Sequence, residues 1–144
     1  MPNWCEGDLK IRGHIDDVQK CLEYCIYQGG KVIRSDDSLE LIDVGGHLKG
    51  TCRCFIPDIY TQDFYPDNVG NIIVILPTEH AWGLSIDEFK ALSQQFNVDF
   101  RFYGYERGTQ FNCEVEIIRG ELTLSREIQF DDYIWECPHP MAGG

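Results

Sequence analysis

The chain has 144 residues, 43% apolar and 12% aromatic, which supports an ordinary buried core and argues against a disordered chain. Twenty-four acidic against 12 basic residues give a formal net charge of -12, a balance that repels phosphate and argues against direct nucleic-acid binding. Seven cysteines leave at least one thiol unpaired. With no signal-like apolar run in MPNWCEGDLK, they point to free thiols in a reducing cytoplasm.

In chain order, Leu9 and Ile11 alternate with Asp8, Lys10 and Arg12, so a first strand is predicted to begin almost at once after MPNWC. Asp16 is the expected cap of a helix whose Val18, Cys21, Leu22, Cys25 and Ile26 share one face. Gly29 and Gly30 stop it. Val32 and Ile33, a turn at 35–38, then Leu39 and Leu41 read as a hairpin. Cys52, Cys54 and Ile56 are expected on one strand face. The acidic, turn-rich stretch 58–71 reads as a long surface loop. The apolar run IIVIL at 72–76 fits a central strand and is far too short to span a bilayer. Ser85 and Glu88 have the spacing of a capping box before a second helix with Phe89, Leu92 and Phe96 on one face.

The last third reads as a three-stranded meander. Two-residue turns at Arg107-Gly108 and Arg119-Gly120 would set Phe102 opposite Cys113, Phe100 opposite Val115, Ile117 opposite Leu122, Val115 opposite Leu124 and Phe111 opposite Ile128. This register turns Arg126 inward beside Cys113, with Asp131 or Asp132 as its partner. The whole is a single α+β domain over residues 1–144: an antiparallel sheet with two helices packed on one face, ferredoxin-like but elaborated.

The start MPNWC, a strand ending in RG, and the tail FDDYIWECPHP resemble a group of small phage and conjugative-element proteins similar to the YubB-type ferredoxin-like domain. The resemblance covers residues 1–27 and 98–137 and brings no catalytic residues. It implies a fold class and a mobile-element setting, in which small acidic proteins include inhibitors of host defence such as anti-CRISPR proteins. The Trp and Cys near each end also predict that the termini lock together, with Trp4 and Trp135 buried.

Chemistry-bearing motifs are sparse. Cys52, Cys54, Cys137 and His139 could form a zinc site, although no C-x2-C pair is present. Cys and His residues are numerous enough for a thiol-dependent enzyme, yet no nucleophile or metal motif frames them. The more specific signal is acidic. The expected register places Asp99 directly opposite Glu116, with Glu114 beside Arg101, a like-charge opposition that suits a basic partner. Tyr60, Phe64 and Tyr65 among the acids 58, 63 and 67 are candidate interface anchors. The expectation is therefore a non-enzymatic, cofactor-free acidic module in a bacterial cytoplasm that contacts neither nucleic acid nor membrane. It would inhibit a host protein with a basic surface, such as a Cas nuclease, by mimicking DNA; the alternative is a small metal-binding or thiol-dependent enzyme.

Overall fold

The computed structural model describes residues 2–144. The chain folds as α+β, with an open antiparallel sheet of eight strands and three helices among the described residues. The elements run β1 Trp4–His14, α1 Ile15–Cys25, β2 Lys31–Arg34, β3 Leu39–His47, β4 Cys54–Phe64, β5 Asn71–Ala81 and α2 Ile86–Phe96. They continue with β6 Asp99–Glu106, β7 Phe111–Ile118, β8 Glu121–Gln129 and α3 Tyr133–Glu136. Across the sheet the order is β2-β3-β4-β5-β1-β6-β7-β8. Among the described residues no helix is long and apolar enough to cross a membrane.

The first strand starts at Trp4, as its alternation predicts, and lies between β5 and β6 in the middle of the sheet. Leu9 and Ile11 enter the core, whereas Glu6, Asp8, Lys10 and Arg12 on the alternate face are exposed. An antiparallel sheet can leave one face in water. Here even its central strand does so.

Helix α1 buries Val18, Cys21, Leu22 and Cys25, the stripe expected from their spacing. Its cap differs: the His14 ring accepts from the Asp16 N–H at 3.2 Å, so Asp16 belongs to the first turn. Ser85 caps α2 by position, but its side chain makes no capping bond. Glu88 instead accepts from the Cys52 N–H at 3.0 and 3.2 Å, which ties the helix to the turn before β4 and replaces the expected capping box. Phe89 and Leu92 are buried and Phe96 meets Tyr24 at 5.2 Å between ring centres. Both helices and the inner strand positions share one core cluster. Burying side chains such as Phe89 or Leu22 contributes about 1.5–3 kcal/mol each.

Two stretches depart from the sequence reading. The expected loop at 58–71 is mostly strand, since β4 continues to Phe64 and pairs with β3 through Leu39↔Phe64. Ile59, Tyr60 and Thr61 have high strand propensity, and that outweighs the neighbouring acids. Register shifts in this pairing absorb the irregularity. Only 65–70 form the turn, where the Asp67 carboxylate accepts from the Val69 and Asn71 N–H groups.

The meander is present, but its register is offset by two residues. Phe102 lies opposite Val115, Phe100 opposite Ile117, and Cys113 opposite Gly104. The cause is the connection at 107–110, a four-residue loop rather than the two-residue turn. The Glu106 carboxylate accepts from the Gly108 and Thr109 N–H groups, at 2.7 and 3.0 Å, and from the Thr109 hydroxyl. Across the second turn Ile117 does face Leu122, but a bulge then sets Val115 opposite Ser125 and Asn112 opposite Ile128. Arg126 therefore points outward, opposite Glu114, not inward beside Cys113.

The termini do meet, through other groups than expected. Trp135 is 86% exposed and Trp4 only half-buried, its ring edge-on to Phe55. Tyr133 and Cys137 are the buried anchors, both within hydrogen-bonding reach of the fully buried Asn112. At the end of the chain, the Gly144 N–H donates to the Trp4 carbonyl at 2.8 Å. Tyr133 and Cys137, four residues apart, share the inward face of this short helix, and Trp135 between them faces out.

Candidate functional site on the open sheet face

The Asp99, Glu114 and Glu116 candidates share the open face of the meander, yet the expected opposition of Asp99 and Glu116 is absent. Arg101 takes the position opposite Glu116 because of the two-residue register offset. It binds Glu116 at 2.6 Å and Glu114 at 2.7 Å. Arg126 adds a 2.6 Å contact to Glu114, and Arg12 holds Asp99 at 2.9 Å. The Arg119 N–H also donates to Asp99 at 3.1 Å. The hydroxyl of Thr123 and the Arg101 guanidinium keep the Glu116 carboxyl below its ordinary range. These three acids are locally neutralised.

The like-charge opposition lies one strand away, where sequence reasoning missed it. Glu6 on β1 is directly opposite Glu79 on β5, Asp8 is two residues along, and Asp58 approaches from the β4 side. None of these four carboxylates has a salt-bridge partner among the described residues. Burial, then Glu6 and then Asp58, push the Glu79 carboxyl above its ordinary value. Charges forced into adjacency raise the pKa of a carboxyl in this way. The clue available in the sequence was the acid–x–acid spacing of Glu6 and Asp8 on an alternating strand; their partner strand could not be read from it.

Beside these acids is an open cavity of about 680 Å³ between β1, β6 and the C-terminal tail. Glu6 faces Tyr105 and Asp8 faces Tyr103 across the strand pair. Tyr103, Tyr105 and His139 form an edge-on chain of rings with centres 5.3 and 5.4 Å apart. The Gly143 N–H donates to Glu6 at 3.1 Å, so the tail fixes one carboxylate of the rim.

The proposed anchors on β4 and in the turn after it do not act together. Tyr60 is half-buried and donates to the Ile75 carbonyl at 3.1 Å; Phe64 packs against the core. Tyr65 is 67% exposed and lines a separate cavity of about 690 Å³ with Asp99, Arg12 and Arg119. The exposed aromatic surrounded by acids is Trp135, with Asp131, Asp132 and Glu136 also exposed beside it. Its position in a four-residue helix gave no amphipathic pattern to read.

The four potential zinc ligands are dispersed. Cys54 is in the core beside His80 at 3.7 Å, Cys137 contacts Asn112, and Cys52 and His139 are exposed at other places. Cys52 precedes β4 and does not share its inward face. Among the described residues no group of three or more His, Cys, Asp or Glu could hold a metal ion. The Cys54–His80 contact also lacks the charge state of a nucleophilic pair. Burial raises the Cys54 thiol well above its ordinary value and pushes His80 down to about 4, so both are neutral near pH 7. Thr78 satisfies the same His80 nitrogen at 3.0 Å.

Compared with protein-family models, curated proteins and solved structures, the chain gives no match.

Proposed function

We propose that this chain is a non-enzymatic, acidic protein-binding module, acting in a bacterial cytoplasm as the product of a phage or other mobile element. Its open sheet face would occupy the basic nucleic-acid cleft of a host defence protein, for which a Cas nuclease is the concrete candidate. The observation that carries this reading is the uncompensated Glu6–Glu79 opposition, with Asp8 and Asp58, on a sheet face exposed at its central strand. Holding like charges together costs stability. A basic partner offsets that cost, and complementary charge speeds its association. Trp135 supplies the aromatic anchor type that dominates many interfaces.

The associated fold reading is an elaborated ferredoxin-like unit. Strands β4, β5, β1 and β6 are consecutive in the sheet, and α1 and α2 follow β1 and β5 in the chain. This is the order of a split β-α-β-β-α-β unit, extended by β2 and β3 at one edge and by β7 and β8 at the other. Right-handed crossovers would bring α1 and α2 to one face, and their shared core supports it.

The test is competition. The immobilised chain captures protein from a bacterial host lysate at low salt, the captured protein is purified, and duplex DNA is titrated into the reconstituted complex. DNA and this chain should exclude one another, and association should slow steeply as salt rises. Glu6→Gln with Glu79→Gln should slow association, and Trp135→Ala should speed dissociation. A partner that holds DNA and this chain simultaneously, or association indifferent to salt, overturns the mimicry reading.

A further inference from the structure

The cavity beside β1 has a chemical polarity that the net charge alone does not specify. At one end Glu6 and Asp8 stand opposite Tyr105 and Tyr103, and His139 continues the line of rings. At the other end Lys10 lies directly opposite Arg101, and these cations repel a positive ligand from that half. Arg101 is already committed to Glu114 and Glu116. Glu6 is tethered by the tail through Gly143, so part of the rim is held in place before any ligand arrives. A cation entering at the acidic end meets two carboxylates and the rings of two tyrosines.

We propose that this end of the cavity receives a guanidinium group, namely an arginine side chain presented by the basic partner. A planar guanidinium suits the site better than an ammonium. It can donate to two carboxylates in a fixed fork while its face lies against an aromatic ring. Two carboxylates with no third ligand do not make a metal centre among the described residues. The volume of about 680 Å³ admits a whole arginine side chain with its flanking backbone. The inference rests on the reading that a basic protein meets this face, and it names the side chain that enters.

The probe is N-acetyl-arginine amide, titrated into the full chain and followed by NMR shifts. Saturable shifts should appear at Tyr103, Tyr105 and His139, with weaker binding of N-acetyl-lysine amide and none of N-acetyl-glutamate amide. Asp8→Asn should weaken arginine-amide binding about tenfold, the change expected when about 1.4 kcal/mol of interaction is lost. Tyr105→Leu provides a second variant that keeps the charge unchanged and should also weaken binding. Glu121→Gln on the β8 edge should change nothing. Absence of saturable shifts, equal binding of lysine amide, or wild-type affinity in Asp8→Asn overturns the guanidinium site. If that occurs while the captured partner still competes with DNA, only this inference fails. Loss of the competition with the arginine site intact would instead remove the DNA-mimic reading.

Discussion

Two acidic patches share the open face of one sheet and differ in how their charge is held. In the meander, Asp99, Glu114 and Glu116 are interleaved with Arg12, Arg101 and Arg126, each acid within 2.9 Å of a guanidinium. Around β1 and β5, Glu6, Asp8 and Glu79 have no such cation among the described residues. A count of acidic residues treats the two patches alike. Their free energies do not: the acids of the first patch are stabilised by neighbouring guanidinium groups, and those of the second repel one another. A formal charge of -12 therefore covers one region whose acids are paired with arginines and another whose acids have no such pairing among the described residues.

The sharpest way to break this comparison is to remove the guanidinium shared by two acids. Arg101→Ala leaves Glu116 without its arginine and the largely buried Glu114 with Arg126 alone. Hydrogen bonds to charged groups are worth about 1.5–3 kcal/mol, and Arg101 is partly exposed, so a loss of about 1–3 kcal/mol is expected. Urea unfolding measures it as a lower midpoint with unchanged slope. An unaltered midpoint would mean that the arginine lattice is only a solvated crystal of charges with no hold on the fold.

The elements with a long repeating pattern were legible in the sequence, and so was their burial. Leu9 and Ile11 on β1, the α1 stripe, the 35–38 hairpin turn and the central IIVIL strand all lie where alternation or helical spacing puts them. Register was not legible, for a definite reason. A slip of one residue between β6 and β7 would have moved Phe100 and Phe102 to the open face, but a slip of two keeps Phe100, Phe102, Val115 and Ile117 together on the inward face. The apolar pattern cannot distinguish the two. What decides is the Glu106 carboxylate folding over the 107–110 loop, a local hydrogen-bond arrangement without a periodic signature. The same offset moved Arg101 from Glu114 to a position opposite Glu116 and removed the candidate opposition at Asp99. The Glu6–Glu79 opposition depends on pairing between strands far apart in the chain, so β1 alone could not disclose it.

A smaller effect sharpens the contrast by sign. Glu116→Gln removes a carboxylate held by Thr123 and Arg101 and should lower stability. Glu79→Gln removes a charge opposed by Glu6 and should raise it. Each change is expected to be about 0.2–1 kcal/mol, the range of partly exposed charge interactions. Equal signs in the two urea midpoints would erase the distinction between a locked and an open patch.

The least of these effects, and the most specific, is the pH at which each difference disappears. Glu79 is raised in the folded state, first by burial and then by Glu6 and Asp58. Its ionised form therefore opposes folding near neutrality, and the folded protein takes up the proton before the unfolded chain does. As pH falls through the raised value, that penalty fades and wild type approaches Glu79→Gln. Glu116 behaves in the opposite way, because the Thr123 hydroxyl and Arg101 lower its folded value. The stability it supplies is complete above the unfolded carboxylate range and is lost only as pH falls through the lowered value. Urea midpoints of wild type and both variants between about pH 3.5 and 7 should show the Glu79 difference shrinking first. The Glu116 difference should persist to more acidic solution and then decline. Convergence of both variants at one common pH would show that the neighbours of these two carboxylates do not set their titration, and the two patches would then be electrostatically alike.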